Sequence, residues 1–216
     1  MNHSFDGKKE FDEKYFESLA HGPDEWHPLI HNENDLVQKL MMPHAGERIL
    51  DIGCGKGRLG LFLLSTEQNI QMVFSDVSAE SRKYLGKYTF VECSMAKMPF
   101  PDEYFDKVFC LHVISHIQES TKAIAEAYRI LKKGGRMMIL TPNKYYVYAR
   151  RVAAGFKLIP RVKFDPTARW LYSKRTLRTL LQTQRWQSMK FSYFQEAPRS
   201  LPFEPFRAKV VSITEK

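Results

Sequence analysis

Cysteine is scarce in this 216-residue chain, with three residues (Cys54, Cys93 and Cys110) and no C-x-x-C spacing. An odd count at such distances is a poor disulfide framework and offers no redox pair. Long apolar runs are missing too, since no stretch approaches the roughly 20 residues of a membrane span, and the mean hydropathy is −0.40. The opening MNHSFDGKKEFDEKYF has no apolar core of the kind a secretory signal carries. No internal repeat or low-complexity tract occurs, which leaves no ground for a repeat array. These absences predict a chain of a reducing, cytoplasmic setting. With 44% apolar and 13% aromatic residues, it is long enough to bury a core without a disulfide or metal staple.

Acid is also in short supply. The chain has 33 Lys and Arg against 24 Asp and Glu, a net charge of +9. The excess is local: residues 144–190 hold twelve basic side chains and one acid, Asp165, so the remainder is near −2.

The first thirty residues mix charge with Phe11, Tyr15, Phe16 and Trp26, and read as a short helix and a loop. Asn34 is placed to N-cap a helix carrying Leu36, Val37, Leu40 and Met41. Ile49–Ile52 reads as a buried strand ending in glycines, followed by a helix with Leu59, Leu61, Phe62 and Leu64. The alternation continues with strands at 71–75, 89–93, 108–111 and 137–140. Between them lie helices at 79–85 and 121–131, the second expected to end at Gly134-Gly135. Strands alternating with helices predict an α/β fold with a mostly parallel sheet. Beyond residue 143 come two basic, aromatic helices (about 144–156 and 174–184) and two late strands, 188–194 and 208–214.

Asp51-Ile52-Gly53-Cys54-Gly55-Lys56-Gly57 lies between the first strand and its helix. Glycines there tolerate positive φ and admit a ligand close to the backbone. Arg58 stands where a dinucleotide loop has its third glycine, and the Walker A pattern is absent. A glycine-rich structural turn remains the alternative for the loop alone. Asp76, 21 residues past Gly55 and directly after an apolar strand, favours a nucleoside cofactor, because a carboxylate there can accept both hydroxyls of a ribose.

These residues resemble the class I S-adenosylmethionine-dependent methyltransferases, closely over about 46–143 and weakly beyond. Ile49–Gly57 matches their first motif and Asp76 their ribose acid. Glu92–Ala96 with Met98-Pro99-Phe100-Pro101 resembles the adenine segment. Phe105–Val108 with His116-Ile117 resembles the fourth strand, and Arg129–Gly135 the approach to the fifth. The variant is nearest the small-molecule branch that includes quinone-biosynthesis enzymes. The resemblance implies a Rossmann-like, seven-stranded, mostly parallel sheet with helices on both faces and an antiparallel last strand. It implies a helical cap over 1–45, a cofactor-binding core over 46–143, a substrate lid over 144–190 and closing strands over 191–216. S-adenosylmethionine is the implied cofactor, held by Asp51, Gly53, Cys54, Gly55, Gly57, Asp76, Val77, Ser94, Met95 and Leu111. Ser94 departs from the family, which usually has Asp there for the adenine amino group.

Methyl transfer to an oxygen nucleophile benefits from a base, and His112 and His116, at the end of the fourth strand, are the candidates. The alternative is that His112 covers the sheet edge while His116 packs the next helix. A zinc pair lacks a third ligand, so no metal is expected. Tyr15 and His27 are candidates to line the pocket. Arg161, Lys163, Arg169, Lys174 and Arg175 are candidates for an anion site, the last two set against a helix macrodipole if Ser173 is the N-cap. The alternative is a solvated basic face. The expected activity is methyl transfer to an O, N or C atom of a small or lipid-like, anionic acceptor, with peripheral contact to a lipid surface open. Competing readings are an RNA or DNA methyltransferase using the basic segment, or a cofactor-binding protein without transferase activity. An N/D-P-P-Y/F motif is absent, because Cys110-Leu111-His112-Val113 stands in its place.

Overall fold

The apolar runs read from the sequence assemble into one sheet. The computed structural model describes residues 28–67, 69–158, 165, 167–194 and 209–216. Its elements are α1 (Pro28–Met41), β1 (Arg48–Ile52), α2 (Arg58–Thr66), β2 (Gln71–Asp76), β3 (Thr89–Glu92), β4 (Phe105–Leu111), α3 (Ser120–Ile130), β5 (Leu131–Pro142), α4 (Lys144–Gly155), α5 (Lys174–Leu181), β6 (Ser188–Phe194) and β7 (Lys209–Glu215). Short 3-10 turns span Ala79–Tyr84 and Ile114–His116.

Strand order is β3-β2-β1-β4-β5-β7-β6. β1 to β5 pair in parallel, and β7 runs antiparallel between β5 and β6. The order reverses at β1/β4, which opens a crevice at the carboxyl ends of those strands. Successive side chains sort the core into two layers, as the period of two requires. Leu50, Val108, Cys110, Met137 and Ile139 pack with Ala123, Ile124 and Ala127 of α3 and Leu177 and Leu181 of α5. Ile49, Phe109, Met138 and Leu140 pack on the opposite face with Val37 and Met41 of α1 and Leu59 and Leu63 of α2.

Three local expectations need correction. Asn34 is no cap: α1 begins at Pro28, whose fixed φ suits a first helical turn, and Asn34 lies buried in the helix interior. The segment after β2 is a 3-10 turn capped by the Ser78 hydroxyl, which accepts from the Glu80 amide. α3 stops at Ile130, before the glycines, because Leu131 is fully buried and pairs with Phe105 as the start of β5. Gly134, at φ 74°, instead turns the chain so that its amide donates to the carbonyl of Lys216.

Arg129 then fixes the loop after β3. Its guanidinium donates to the carbonyls of Met98 and Phe100 and pairs with Glu126 and Asp102. The Glu126 carboxylate in turn accepts from the Met98 amide.

Gly60 is set by packing. A Cβ on it would lie 2.2 Å from Cε1 of the fully buried Phe74. Helix propensity favours alanine there by about 1 kcal/mol, but overpacking costs about 1–3 kcal/mol. Gly60→Ala is therefore expected to lower the urea midpoint, and Phe74→Leu in the same chain to recover part of the loss.

Candidate active site

The β1/β4 crevice is built on the glycine loop. Gly53, Gly55 and Gly57 all have positive φ, 62°, 54° and 77°. Two of them are also packed tight: a Cβ on Gly53 would lie 2.3 Å from Cγ2 of Val113, and one on Gly57 2.3 Å from Cδ2 of Leu85. Around Gly55 nothing lies within 4 Å of that position, so the backbone there faces open space. The close approach of Val113 also sets the His112-Val113 turn against the glycine loop.

Two acids flank this cradle. The Asp76 carboxylate accepts from the Gly55 amide (3.0 Å) and from the Ser78 amide (3.0 Å), which locks the end of β2 to the loop. Asp51, 4% exposed, accepts from the Gly60 amide at 3.3 Å. Burial pushes the Asp51 carboxyl up to about 7, and the neighbouring Asp76 adds to the rise. Burial also raises Asp76, against the amides that favour its charge. Cys54 lies beside both acids, and burial and their charges hold it as a neutral thiol. Cys54, Cys93 and Cys110 are all free.

A second cluster gathers around Glu33 of α1. Its buried carboxylate accepts from Lys209 of β7, lies 2.9 Å from Nε2 of His112, and lies 3.5 Å from Nη2 of Arg58. Burial opposes charge on Glu33, yet His112 and Lys209 hold its carboxyl well below the ordinary carboxylate range. His112 itself has φ 61°, uncommon for a residue with a Cβ, and its amide donates to the Leu140 carbonyl at 2.7 Å. Nε of Arg58 is buried with no partner among the described residues, an unsatisfied donor beside the glycine loop.

The predicted site residues divide into groups. Asp51, Gly53, Cys54, Gly55, Gly57 and Asp76 converge on the crevice. Leu111 ends β4, and Val77 follows β2. Ser94 is exposed and its hydroxyl accepts from the Ala96 amide, while Met95 is buried with its sulfur 3.7 Å from Cys110. His116 belongs to a different neighbourhood from His112. Its Nδ1 lies 3.0 Å from the Thr167 hydroxyl and its Nε2 4.0 Å from Asp165, which ties the segment after α4 to the β4 turn. Burial lowers the His116 imidazole, with Asp165 pulling the other way.

Ser173 caps α5 through a capping box with Thr176, so Lys174 and Arg175 do occupy its first turn. Lys174 rests over the ring of Tyr193, 5.4 Å from its centroid. Arg169 lies on the exposed return of the inserted segment. Tyr15, His27, Arg161 and Lys163 lie outside the described residues. Glu33, Arg58 and Lys209 were missed by the sequence reading. Only Glu33 left a usable signal, an acid one turn before Val37 on the apolar side of a helix.

The donor set fits the implied cofactor. Two buried carboxylates with raised pKa favour a ligand that brings positive charge and hydroxyl donors. Arg58 Nε and the open face of Gly55 offer an unsatisfied donor and room for such a ligand. S-adenosylmethionine carries an ammonium, a sulfonium, a carboxylate and a ribose diol. Among the described residues, no group of three His, Cys, Asp or Glu could hold a metal ion.

The raised Asp51 pKa has a consequence for stability. Between about pH 4 and 7 the folded chain keeps a proton that the unfolded chain has lost. Stability contributed by Asp51 therefore falls as pH rises through that window, by at most about 1.4 kcal/mol per unit. Urea midpoints of the ligand-free protein across this range are expected to fall less steeply in Asp51→Asn than in the wild type.

Comparison with known proteins agrees with this geometry. Residues 50–139 match the family model described as a methyltransferase domain. The chain is 30% identical over 143 residues to the 27-O-demethylrifamycin SV methyltransferase of Amycolatopsis mediterranei, covering 59% of this chain and 52% of that protein. It is 27% identical over 131 residues to the ubiquinone/menaquinone biosynthesis C-methyltransferase UbiE of Erwinia tasmaniensis, covering 54% of this chain and 52% of the relative. The match thus spans about half the length of these curated relatives. Among solved structures, an S-adenosylmethionine-dependent methyltransferase from Archaeoglobus fulgidus superposes with a TM-score of 0.65 at 20% identity, covering 87% of this chain and 94% of that one. A methyltransferase of Haloferax volcanii, solved with its Trm112 activator, gives a TM-score of 0.70 at 16% identity over 96% of both chains. The glycine loop, the paired acids and the strand order agree with these likenesses: residues 50–139 match a methyltransferase domain, similar to those of the rifamycin and quinone-biosynthesis relatives, and the sheet has the fold of the solved S-adenosylmethionine-dependent methyltransferase.

Proposed function

We propose that this chain transfers the methyl group of S-adenosylmethionine to an O, N or C nucleophile on a small or lipid-like, anionic acceptor. The cofactor supplies an electrophilic methyl on a positively charged sulfur. Asp76 is assigned to the ribose hydroxyls, since its two oxygens are already aimed by the Gly55 and Ser78 amides. Asp51 and the unsatisfied Arg58 Nε are assigned to the charged amino-acid end, and Val77, Ser94 and Met95 to the adenine. Leu111 and the glycines form the floor. The chain's main task is then alignment of nucleophile, methyl and sulfur, which contributes on the order of 7–11 kcal/mol in well-oriented reactions.

The observation that carries the catalytic part is the contact between Glu33 and His112. A carboxylate 2.9 Å from the imidazole stabilises the imidazolium formed when His112 takes a proton from the acceptor. His116, held by Asp165 and Thr167, is the weaker candidate for base and the better one for fastening the lid. Arg175 is retained for an anionic acceptor, whereas the stacking of Lys174 on Tyr193 favours the solvated alternative for that residue.

Incubation with methyl-labelled S-adenosylmethionine and fractionated extract tests this reading. Label is expected in the metabolite or lipid fraction. Label confined to RNA, DNA or protein overturns it, as does the absence of any transfer. Asp76→Ala is expected to weaken S-adenosylhomocysteine binding by roughly 10- to 100-fold in calorimetry, the value of hydrogen bonds to a charged group. His112→Ala is expected to bind it normally and to slow transfer to an oxygen acceptor by about 10²-fold or more.

A further inference from the structure

The apolar side of α4 faces away from the rest of the described residues. Asn143 caps the helix, its side chain accepting from the Tyr145 amide, and Val147 is the one buried residue of α4. Tyr145, Tyr148, Val152 and Phe156 recur at three- and four-residue spacing, which places them on a single stripe about 17 Å long. Every one is exposed: Val152 by 60%, Phe156 by 75%, and Leu158 just beyond the helix by 75%. A globular helix has the opposite arrangement, with apolar residues turned to the core.

The surroundings of the stripe are basic. Lys144 and Arg151 lie along one flank, and Lys157 follows the helix; α4 contains no acid. Lys144 reaches across to the ring of Tyr148, 5.7 Å from its centroid. Tyrosine, phenylalanine and aliphatic side chains bordered by Lys and Arg are the composition of helices that lie in the interface of an anionic bilayer. A second copy of this face would bring like charges together in a two-fold contact, which disfavours self-association as the means of covering it.

The position of α4 also matters. The segment leaves the sheet at Asn143, at the carboxyl end of β5, and returns at Tyr172, whose carbonyl accepts from the Lys144 amide. It is fastened to the β4 turn where the Trp170 amide donates to the Ser115 carbonyl. The stripe is therefore displayed from an insertion rooted at the same sheet edge as the glycine loop and His112.

We infer that the exposed face of α4 is a docking surface for an anionic membrane, holding the crevice edge of the sheet at the bilayer. The inference goes beyond the assigned chemistry and stands whether or not the acceptor itself is a lipid. No helix among the described residues is long and apolar enough to cross a membrane, so the contact is peripheral.

Vesicle co-sedimentation of the full chain tests it, with phosphatidylcholine alone and with phosphatidylcholine mixed with phosphatidylglycerol. The wild type is expected to sediment with the mixed vesicles, to do so less as salt rises, and to stay largely free of the neutral ones. Val152→Glu/Phe156→Glu and, separately, Lys144→Glu/Arg151→Glu are each expected to weaken binding by about tenfold or more. Calorimetry with S-adenosylhomocysteine accompanies each variant and is expected to be unchanged. Its failure in the wild type would count against the methyltransferase reading and leave the vesicle result standing. The inference is overturned if the wild type ignores anionic vesicles, or if the Val152/Phe156 variant binds them as well as the wild type does. A wild-type dimer that the same variant converts to a monomer, without vesicle binding, assigns the face to a second copy and equally overturns it.

Discussion

The hydrogen bond from the Gly55 amide to the Asp76 carboxylate joins the two halves of the site, and much else depends on it. One end belongs to the loop after β1 and the other to the tip of β2, two neighbouring parallel strands. That bond sets where the open backbone at Gly55 sits relative to the acid. The loop can adopt this path because glycine stands where φ is positive and where Val113 and Leu85 leave no room for a Cβ. The arrangement is costly for the chain alone. Two carboxylates, Asp51 and Asp76, are buried near each other and both are driven towards their protonated forms. A site built to be uncomfortable when empty is one that gains from a ligand of the opposite charge.

The sheet and the cradle were legible in the sequence because both are written in local pattern. Apolar runs such as Ile49-Leu50 and Phe109-Cys110 mark strands buried on both faces, and the glycines with Asp76 mark the crevice, whereas the layer that each side chain enters is set by the fold. Boundaries were less legible where tertiary burial overrode local preference. Leu131 leaves the helix because its side chain fills the core and its backbone pairs with Phe105, although Gly134-Gly135 is the stronger stop signal by propensity. Asn34 has the chemistry of a cap, but Pro28 offers an earlier start and the packed helix carries Asn34 inward.

The Glu33 cluster was illegible for a different reason. Its members come from α1, the first turn of α2, the end of β4 and the start of β7, with up to 176 residues between partners. No spacing rule links Glu33, Arg58, His112 and Lys209, and only the folded sheet brings them together. Once assembled, the cluster changes the standing of the two histidines. The sequence placed His112 and His116 side by side as bases, whereas the structure gives them different partners. His112 has a carboxylate of low pKa beside the crevice, and His116 has the inserted segment.

The basic excess also separates into parts with different physical meaning. Lys174 and Arg178 rest over the rings of Tyr193 and Phe191, where cation–π contact and a solvated head account for them. Lys144 and Arg151 border an apolar stripe that is turned outward, and there the same charge has a different effect. A cation beside exposed aromatics strengthens attraction to an anionic surface that is also apolar beneath, a combination that neither a soluble polyanion nor a protein core supplies. The +11 of residues 144–190 is therefore better understood through the helix that exposes Val152 and Phe156 than through its sum. Where charge and exposed apolar area coincide, at the edge of the sheet that carries the glycine loop, the chain has reason to work against a surface.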